Sequence, residues 1–221
     1  MIFHHPIGLM RQLCPPAVWR VDGADASVFL TFDDGPIPEV TPWVLDVLDR
    51  YGVKATFFMV GDNVRKHPDV YAEVVARGHA VGNHTFHHLQ GGKCGVQTYV
   101  DDVAMAQQAL QAEASACRLF RPPHGWVRRS QWRELTRQGY RMIQWDIVTR
   151  DYSSRVTPTH IGRTIRRYAR SGSIITFHDS LRSVETLRVA LPQTIEWLQQ
   201  QGYVFRTLAD VYGTNHQDPC L

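Results

Sequence analysis

The sequence lacks the features that mark several common protein classes. Its four cysteines are widely spaced without a Cys-x-x-Cys pair, so it predicts neither a zinc knuckle nor a dense disulfide framework. No apolar run reaches the length of a transmembrane helix. The Gly-x-Ser-x-Gly turn of a serine hydrolase and the Gly-x-Gly-x-x-Gly turn of a dinucleotide-binding fold are both missing. Linkers, repeats and low-complexity segments are missing too, which favours one domain.

Charge of one sign is not in excess. With 24 Lys and Arg against 21 Asp and Glu, the net charge of +3 does not argue for a nucleic-acid partner. In 221 residues we expect an irregular lead-in at 1–26, one domain at 27–212 and a polar tail at 213–221. The first 16 residues lack the basic head and apolar run of a signal peptide. We therefore expect a cytoplasmic location, or a cell-envelope or secreted one if residues precede Met1.

Strand-like apolar runs alternate with helical patterns along almost the whole chain. Four helical patterns end in glycine just before the next strand, which is typical of βα repeats with a parallel sheet. About seven such units favour a (β/α) barrel, and a doubly wound open sheet is the alternative. The strand-like runs are 28–32, 54–60, 79–82, 117–121, 140–147, 173–178 and 203–207, and the helical patterns cover about 41–51, 66–77, 98–114, 129–138, 159–170 and 184–201.

Two adjacent carboxylates end the first predicted strand. Asp33 and Asp34 directly follow the apolar run and precede Gly35. Two like charges in such a place are costly unless a partner compensates them. A metal ion bound by one acid would do so and leave the other as a base. A solvated Asp-Asp-Gly turn is the plainer alternative.

Polar residues also follow the later predicted strands. The carboxyl ends of parallel strands converge on one face of a barrel, and such folds place their active sites on that face. We therefore expect these residues to meet around one pocket. They are His84 after the third strand, Arg121 after the fourth, Asp146 and Asp151 after the fifth, and His178 and Asp179 after the sixth.

Five of the eleven histidines lie between residues 79 and 124. If the segment after the third strand is helical, His84 lies on the same side as His87 and His88. Two imidazoles and one carboxylate suit catalytic zinc and leave a position open for water. An incidental pair of histidines is the alternative, but the nearby Asp33 and Asp34 favour a metal site.

Two further side chains suit acid–base chemistry. Arg121 could pair with Asp33 and keep it ionised, or it could be a surface residue on a proline-rich turn. His178 ends a strongly apolar strand, where it would be a good general acid if a carboxylate held its other nitrogen. A histidine satisfied within the core is the alternative.

These motifs together resemble those of the polysaccharide deacetylases, carbohydrate esterase family 4, over about residues 28–210. The resemblance implies that 27–212 is the catalytic domain, a distorted (β/α) barrel of seven or eight parallel strands with its active site at the strand C-terminal face. It implies a metal-dependent hydrolase that removes acetyl groups from glycans containing N-acetylglucosamine, such as chitooligosaccharide or peptidoglycan. The motifs are Thr31-Phe32-Asp33-Asp34-Gly35, His84-Thr85-x-x-His88, Arg121-Pro-Pro-x-Gly125, Trp145 with Asp151-Tyr152, and Phe177-His178-Asp179.

The resemblance assigns roles to three groups of residues. The metal ligands would be Asp34, His84 and His88, holding zinc, with cobalt, nickel or manganese as other candidates. The catalytic group would be the base Asp33, Arg121 that orients it, the acid His178 and Asp151 that tunes it. The substrate-binding group would be His124, whose backbone N–H donates to the oxyanion, Trp145 and Phe177, which wall the acetyl pocket, and Tyr152.

The chain departs from the family pattern at four positions. His124 stands where tyrosine is usual, and Tyr152 where tryptophan is frequent. Val148 and Thr176 replace a frequent aspartate and a common leucine. None of the four is a metal ligand or an acid–base residue, so they put the substrate preference in doubt and not the reaction.

Other features leave alternatives open. Arg163, Arg166, Arg167 and Arg170 would form one basic stripe on a helix, either a solvated face or a surface for an anionic glycan or membrane. Trp126 and Trp132 could stack on a sugar ring or pack against a helix. An esterase for O-acetyl polysaccharides would use similar residues. A non-catalytic carbohydrate-binding protein is disfavoured because Asp33, Asp34 and His178 are all present. The expected partner is an acetylated oligo- or polysaccharide.

Overall fold

Strands and helices alternate in the computed structural model, which describes residues 16–110 and 118–213. None of the helices in these ranges is both long and apolar enough to span a bilayer. The strands are β1 Ser27–Asp33, β2 Thr56–Met59, β3 Ala80–Asn83, β4 Arg118–Phe120, β5 Tyr140–Met142, β6 Ile147–Val148, β7 Ile174–His178 and β8 Val204–Phe205. The helices are α1 Thr41–Arg50, α2 Gly61–Lys66, α3 Pro68–Ala76, α4 Val96–Ala109, α5 Arg129–Arg137, α6 Pro158–Tyr168, α7 Val184–Gln200 and α8 Ala209–Tyr212.

The strands form one parallel sheet in which β1 pairs with three others, β2, β7 and β8. Their order is β5-β4-β3-β2-β1-β7-β6, and β8 pairs with the first residues of β1. The register sets Asp33 of β1 opposite His178 of β7 and opposite Phe58 of β2. The carboxyl ends of the strands therefore share one face, and the predicted distorted (β/α) barrel of seven or eight strands is confirmed.

The segment before β1 lies between the two edges of this sheet. Val18 makes a parallel bridge with Ile143, just after β5, and Arg20 makes an antiparallel bridge with Ser173, just before β7. The Val18 N–H donates to the Met142 carbonyl at 2.9 Å. Strands β5 and β6 do not pair directly. The gap between these two sides of the barrel is therefore filled by irregular backbone of the lead-in rather than by a strand.

Alternation along the strands separates two apolar layers. Leu30 and Phe32 point outward into the layer between the sheet and the helices, where they pack with Leu45 and Leu191. Phe29 points to the other side, into a smaller cluster that includes residues of β2, β4 and β7. Thr31 and Asp33 share that inner side, so β1 delivers polar groups to the barrel mouth.

Two predicted elements differ from the structure, and others lie partly outside the described residues. The run 140–147 is two short strands, because the chain leaves the sheet at 143–146. The helix at 66–77 begins at Pro68, and a separate helix, α2, precedes it because proline cannot donate within a continuous helix. Part of the helix predicted at 98–114, part of the lead-in and most of the predicted tail lie outside the described residues.

The predicted arginine stripe is also interrupted. Helix α6 ends at Tyr168, so Arg170 is not part of it. The Arg170 Nη2 lies 3.1 Å from Asp146 Oδ1. Asp146 precedes β6 and also accepts a hydrogen bond from Ser173, at the amino end of β7. The expectation that Asp146 lies with the catalytic groups at the carboxyl ends is therefore wrong.

Candidate active site and metal centre

The exit of β1 turns two neighbouring carboxylates toward different partners. Asp33 keeps the inward direction of the strand, whereas Asp34 has a φ of 86° in the left-handed region. The Gly35 N–H donates to Asp179 Oδ1 at 3.1 Å, and the Thr41 hydroxyl donates to Asp179 Oδ2 at 2.6 Å. A Cβ on Gly35 would overlap the Asp179 carboxylate. Glycine at 35 thus lets the loop close onto Asp179.

Asp34, His84 and His88 form a cluster whose geometry fits a metal ion. We call these three residues the metal group. Asp34 Oδ1 lies 3.2 Å from His88 Nε2 and 3.7 Å from His84 Nε2. One ligand atom from each residue lies within 4.8 Å of the others. Two ligands about 2.0–2.1 Å from a tetrahedral zinc ion are about 3.3 Å apart, so this spacing suits a cation of that size.

The electrostatics of these residues also suit a cation. Burial lowers the pKa of His84 to about 4, so its imidazole is neutral near pH 7. Its Nδ1 lies 2.7 Å from the Arg121 carbonyl oxygen, which leaves the Nε2 lone pair free. Burial raises the pKa of Asp34, but the hydrogen bond with His88 and the charges of His178 and His84 outweigh it and lower that pKa well below its usual range. Both groups are thus in the form that binds metal.

The histidine segment is a loop, so the helical arrangement that would set His84, His87 and His88 on one side does not form. Thr85 and His88 have φ values of 65° and 54°. The loop is held by its own polar groups, since Asn83 Oδ1 accepts from the Thr85 N–H at 2.9 Å and Asp102 Oδ2 accepts from the amide groups of Phe86 and His87. These bonds replace the helical ones and bring the imidazoles of His84 and His88 to the same side.

His87 is directed away from the metal group. Its Nδ1 lies 2.5 Å from Asp102 Oδ1, and Asp102 is buried. The choice between His87 and His88, which spacing alone leaves open, is decided by this pairing and by the contact of His88 with Asp34.

Asp33 is paired with a fully buried arginine. Arg121 Nη1 donates to Asp33 Oδ1 at 2.6 Å and to Thr31 Oγ1 at 2.8 Å, and its Nη2 donates to the Gln144 carbonyl at 2.9 Å. The guanidinium also stacks 4.1 Å from the centroid of Phe58. Burial lowers the pKa of Arg121, and the charge of Asp33 opposes that shift. Arg121 therefore fixes the Asp33 carboxylate in one orientation.

His178 and Asp151 form a second buried pair. His178 Nδ1 lies 2.7 Å from Asp151 Oδ1, and the His178 N–H donates to Asp151 Oδ2 at 2.9 Å. Burial alone lowers the pKa of His178, but the charge of Asp151 and its hydrogen bond outweigh burial and raise that pKa to about 9. The imidazole is thus protonated near pH 7, with Nε2–H as its remaining donor.

Three predicted substrate-binding residues lie around these groups. The His124 ring is 5.0 Å from that of His88, and the Tyr152 ring is 4.7 Å from that of His178. The Trp145 ring covers Gly125, where an added Cβ would overlap it and where φ is 69°. His124 and Tyr152 are therefore placed beside the metal group and beside His178, and Trp145 lies against the turn that follows His124.

Phe177 does not face these groups. Its side chain has 0% exposure, stacks on Phe32 at 6.2 Å and belongs to the layer between the sheet and the helices. Because side chains alternate along β7, Phe177 points away from the face that carries Thr176 and His178. The expectation that Phe177 walls an acetyl pocket is corrected.

Sequence reasoning gave no role to three residues that hold the site together. Asp179 holds the loop after β1, Thr31 holds Arg121, and the Gln144 carbonyl accepts from Arg121. The period of two along β1 could have found Thr31, since it shares a face with Asp33. Nothing in the sequence singles out a backbone carbonyl such as that of Gln144.

Comparisons with known proteins agree with this geometry. Residues 20–143 match the family described as Polysaccharide deacetylase. A peptidoglycan-N-acetylglucosamine deacetylase of Bacillus cereus is 30% identical over 212 residues, covering 94% of this chain and 99% of that protein. A chitooligosaccharide deacetylase of a Bradyrhizobium species is 33% identical over 203 residues, covering 84% of this chain and 90% of that protein.

A solved structure shows the same fold. The crystal structure of a peptidoglycan N-acetylglucosamine deacetylase superposes with a TM-score of 0.83 at 30% identity, over 90% of this chain and 94% of that chain. Sequence similarity over most of the chain and structural similarity thus lead to one assignment. This chain belongs to the polysaccharide deacetylase family.

Proposed function

We propose that the protein removes acetyl groups from a glycan that contains N-acetylglucosamine, by attack of water on the amide carbon. The observation that carries the proposal is the meeting of Asp33 with Arg121 and of His178 with Asp151 beside the group of Asp34, His84 and His88. Relatives named as deacetylases of peptidoglycan N-acetylglucosamine and of chitooligosaccharide support this substrate class.

Asp34, His84 and His88 would hold a divalent cation, which we propose to be zinc, with cobalt, nickel or manganese as the next candidates. When bound, such a cation supplies a Lewis acid that polarises a carbonyl and acidifies water. The chain prepares the site by burying His84 and directing its Nε2 toward Asp34.

Asp33 and His178 would move the protons. Asp33 uses Oδ1 to bind Arg121, which leaves Oδ2 to accept a proton from the attacking water. His178 uses Nδ1 to bind Asp151, which leaves its Nε2–H to protonate the departing amine. Because the pKa of His178 is raised to about 9, the acid form is available at neutral pH and is lost as the pH rises through that value.

Acetate release tests the proposal directly. Purified protein is assayed on chitooligosaccharides, peptidoglycan glycan strands and acetylated xylan, with and without a chelator and after zinc is restored. We expect release from at least one N-acetylated glycan, loss with chelator and recovery with zinc. Release from xylan alone would assign the protein to O-acetyl esters instead. Binding without release in the zinc-loaded protein would make it a non-catalytic carbohydrate-binding protein.

A further inference from the structure

Positive charge is concentrated in two segments near the metal group. Residues 89–100 and 118–133 contain no Asp or Glu, although the whole chain has 21 acids for 24 basic residues. The first segment follows the loop of His84 and His88, and the second follows β4. Their basic residues are Lys93, Arg118, Arg121, Arg128, Arg129 and Arg133.

The two segments are fastened to each other. Arg128 Nη2 donates to the Gly92 carbonyl at 2.7 Å, and Gln131 Nε2 donates to the Gly91 carbonyl at 2.9 Å. Gln131 is fully buried and its Oε1 accepts from the Arg128 N–H at 2.9 Å. We call the exposed residues Lys93, Trp126 and Arg128 of this joined surface the basic rim. Its backbone is held in place before any ligand binds.

The basic rim adjoins the metal group. His124 links the two, since its ring lies 5.0 Å from the ring of His88 and Trp126 follows it by two positions. The rim therefore begins two residues from a side chain that contacts His88, on the side from which a sugar next to the one at the metal group would extend.

Trp126 offers a supported aromatic face. Its side chain is 56% exposed, an unusual exposure for a tryptophan in a folded chain. A Cβ on Gly92 would lie 3.1 Å from Trp126 Cζ3, so the ring rests on the Gly92 backbone on one side. The remaining exposed surface can stack on the apolar face of a sugar ring.

Among the described residues, the cations of the rim have no acidic partner. Neither Lys93 nor Arg128 forms an ion pair with any residue that the structure describes. The nearest described acids along the chain are Asp101 and Asp102 for Lys93 and Glu134 for Arg128. Each is engaged elsewhere, because Asp101 accepts from Gln97, the buried Asp102 binds His87 and Glu134 pairs with Arg137. Uncompensated charge beside an active site attracts ligands of opposite sign.

We propose that the basic rim binds an anionic group on the glycan, so that the preferred substrate carries carboxylates on sugars next to the one that is deacetylated. Lys93 and Arg128 contact the carboxylate, and Trp126 stacks on the ring that bears it. The proposal rests on the proposed function, and it separates acidic N-acetylhexosamine glycans from neutral ones as substrates of the same site.

The test compares two glycans of equal length. One is a neutral chitooligosaccharide, and the other alternates N-acetylglucosamine with N-acetylmuramic acid and carries no peptide. In Lys93→Gln/Arg128→Gln we expect KM for the acidic glycan to rise roughly tenfold, the scale set by two exposed ion pairs, with kcat unchanged. KM for the neutral glycan should change much less, because Gln131 still fastens the two segments. Added salt should raise KM for the acidic glycan in the parent protein and much less in the variant.

Two further variants complete the design. Arg163→Gln/Arg166→Gln removes the same charge from the exposed surface of α6 and should leave both KM values unchanged. Trp126→Ala should raise KM for both glycans, since stacking does not depend on charge. Equal KM values for the two glycans in the parent protein, or a tenfold rise in the α6 variant as well, would overturn the proposal. Stronger inhibition of acetate release by a polyglycerol phosphate than by the carboxylated strand would also overturn it.

Calorimetric titration of the same glycans separates this proposal from the proposed function. If the zinc-loaded parent protein releases no acetate, the proposed function fails. Tighter binding of the acidic glycan, lost in Lys93→Gln/Arg128→Gln, would still support the rim. Equal binding of both glycans would reject the rim whatever the turnover.

Discussion

Asp33 and Asp34 share a peptide bond but are placed in unlike surroundings. Asp33 faces a buried guanidinium 2.6 Å away, whereas Asp34 faces two imidazole nitrogens. The left-handed φ of Asp34 causes the separation, because an extended residue there would continue the alternation of β1. Adjacent like charges are tolerated because each has its own compensating partner.

Asp33→Asn should keep the bound metal and lose most of the turnover. Asparagine can still accept from Arg121, but it cannot take a proton from water, and losing general base help costs roughly 10²–10⁴ in rate. Elemental analysis and acetate release on the same preparation check this. Near-normal turnover in Asp33→Asn would remove Asp33 from the role of base.

His88→Ala should lose most of the bound metal, whereas His87→Ala should keep it. The reason is that His88 contacts Asp34 and His87 contacts Asp102. The two variants delete the same side chain at neighbouring positions, so each is the other's control. Elemental analysis after dialysis against zinc reads the result, and the reverse order would show that the wrong histidine is assigned.

Asp151→Asn should move the alkaline limb of the pH–rate profile to lower pH. Burial lowers the pKa of His178, and the charge of Asp151 is what raises it to about 9. Without that charge the imidazole loses its proton at lower pH, so the acid form disappears earlier as the pH rises. Profiles of kcat/KM measure the shift. Asp146→Asn, in a buried acid paired with Arg170 away from the site, should leave the limb in place.

At the scale of elements, the contact between the β1 loop and the end of β7 assembles the centre. Asp179 accepts hydrogen bonds from Gly35 and Thr41, and its own N–H donates to the Asp33 carbonyl at 3.1 Å. The loop that carries Asp34, the proposed metal ligand, is thus fastened to the strand that carries His178, the proposed acid. The buried Asp179 side chain therefore connects the proposed metal site to the proposed acid.

Asp179→Ala should weaken both stability and metal binding. It leaves two buried donors without their acceptor, which costs about 1–3 kcal/mol, and it loosens the loop of Asp34. Asp179→Asn keeps the shape and an acceptor for Gly35, so it should lie close to the parent protein. Urea unfolding and zinc titration measure the two effects. Unchanged zinc affinity in Asp179→Ala would show that Asp179 is only a packing residue.

Helices and strands were predictable from the sequence where a single local residue pattern determines them. The buried β1 and the glycines that end helices are of this kind, so the order of strands and helices is close to the prediction. The loop at 84–88 was not, because the side chains of Asn83 and Asp102 compete with the helical backbone bonds and Asp102 is distant in sequence. The position of Phe177 was missed because the role was assigned from its place in the motif. Successive side chains of a strand point to opposite faces, so the residue next to His178 faces away from the site.

At the scale of the whole molecule, the barrel depends on a segment that no strand pattern marks. Val18 and Arg20 bridge the sheet edges, and Trp19 between them is buried against Trp145 with ring centroids 6.2 Å apart. The lead-in was predicted as irregular, and single bridges of this kind leave no periodicity to read. It nonetheless contacts the tryptophan that covers Gly125 at the site. The predicted domain boundaries and the predicted cytoplasmic location stay predictions.

Stability of the whole fold should decline in mild acid through His79. This histidine is 6% exposed, its Nδ1 accepts from the Ala55 N–H at 3.2 Å, and its Nε2 has no partner among the described residues. Burial, followed by the charge of Lys54, lowers its pKa from 6.5 to about 4. The unfolded chain then binds a proton that the folded chain does not, and stability falls as the pH drops from 6.5 toward 4.

Replacing His79 tests this linkage. The lowered pKa of His79 corresponds to about 3 kcal/mol of folding stability, as an order of magnitude, and this stability is lost as the pH falls from 6.5 to 4. His79→Asn removes the titrating group, so its free energy of unfolding should be lower at pH 7 but should fall less steeply between pH 6.5 and 4. His160→Asn, at an exposed histidine of α6, should keep the parent slope. Urea unfolding across this pH range gives the slopes. A buried histidine with a lowered pKa must add to the pH dependence of the free energy of unfolding. If that free energy falls with the same slope in His79→Asn and in the parent protein, the acid sensitivity therefore arises from other groups.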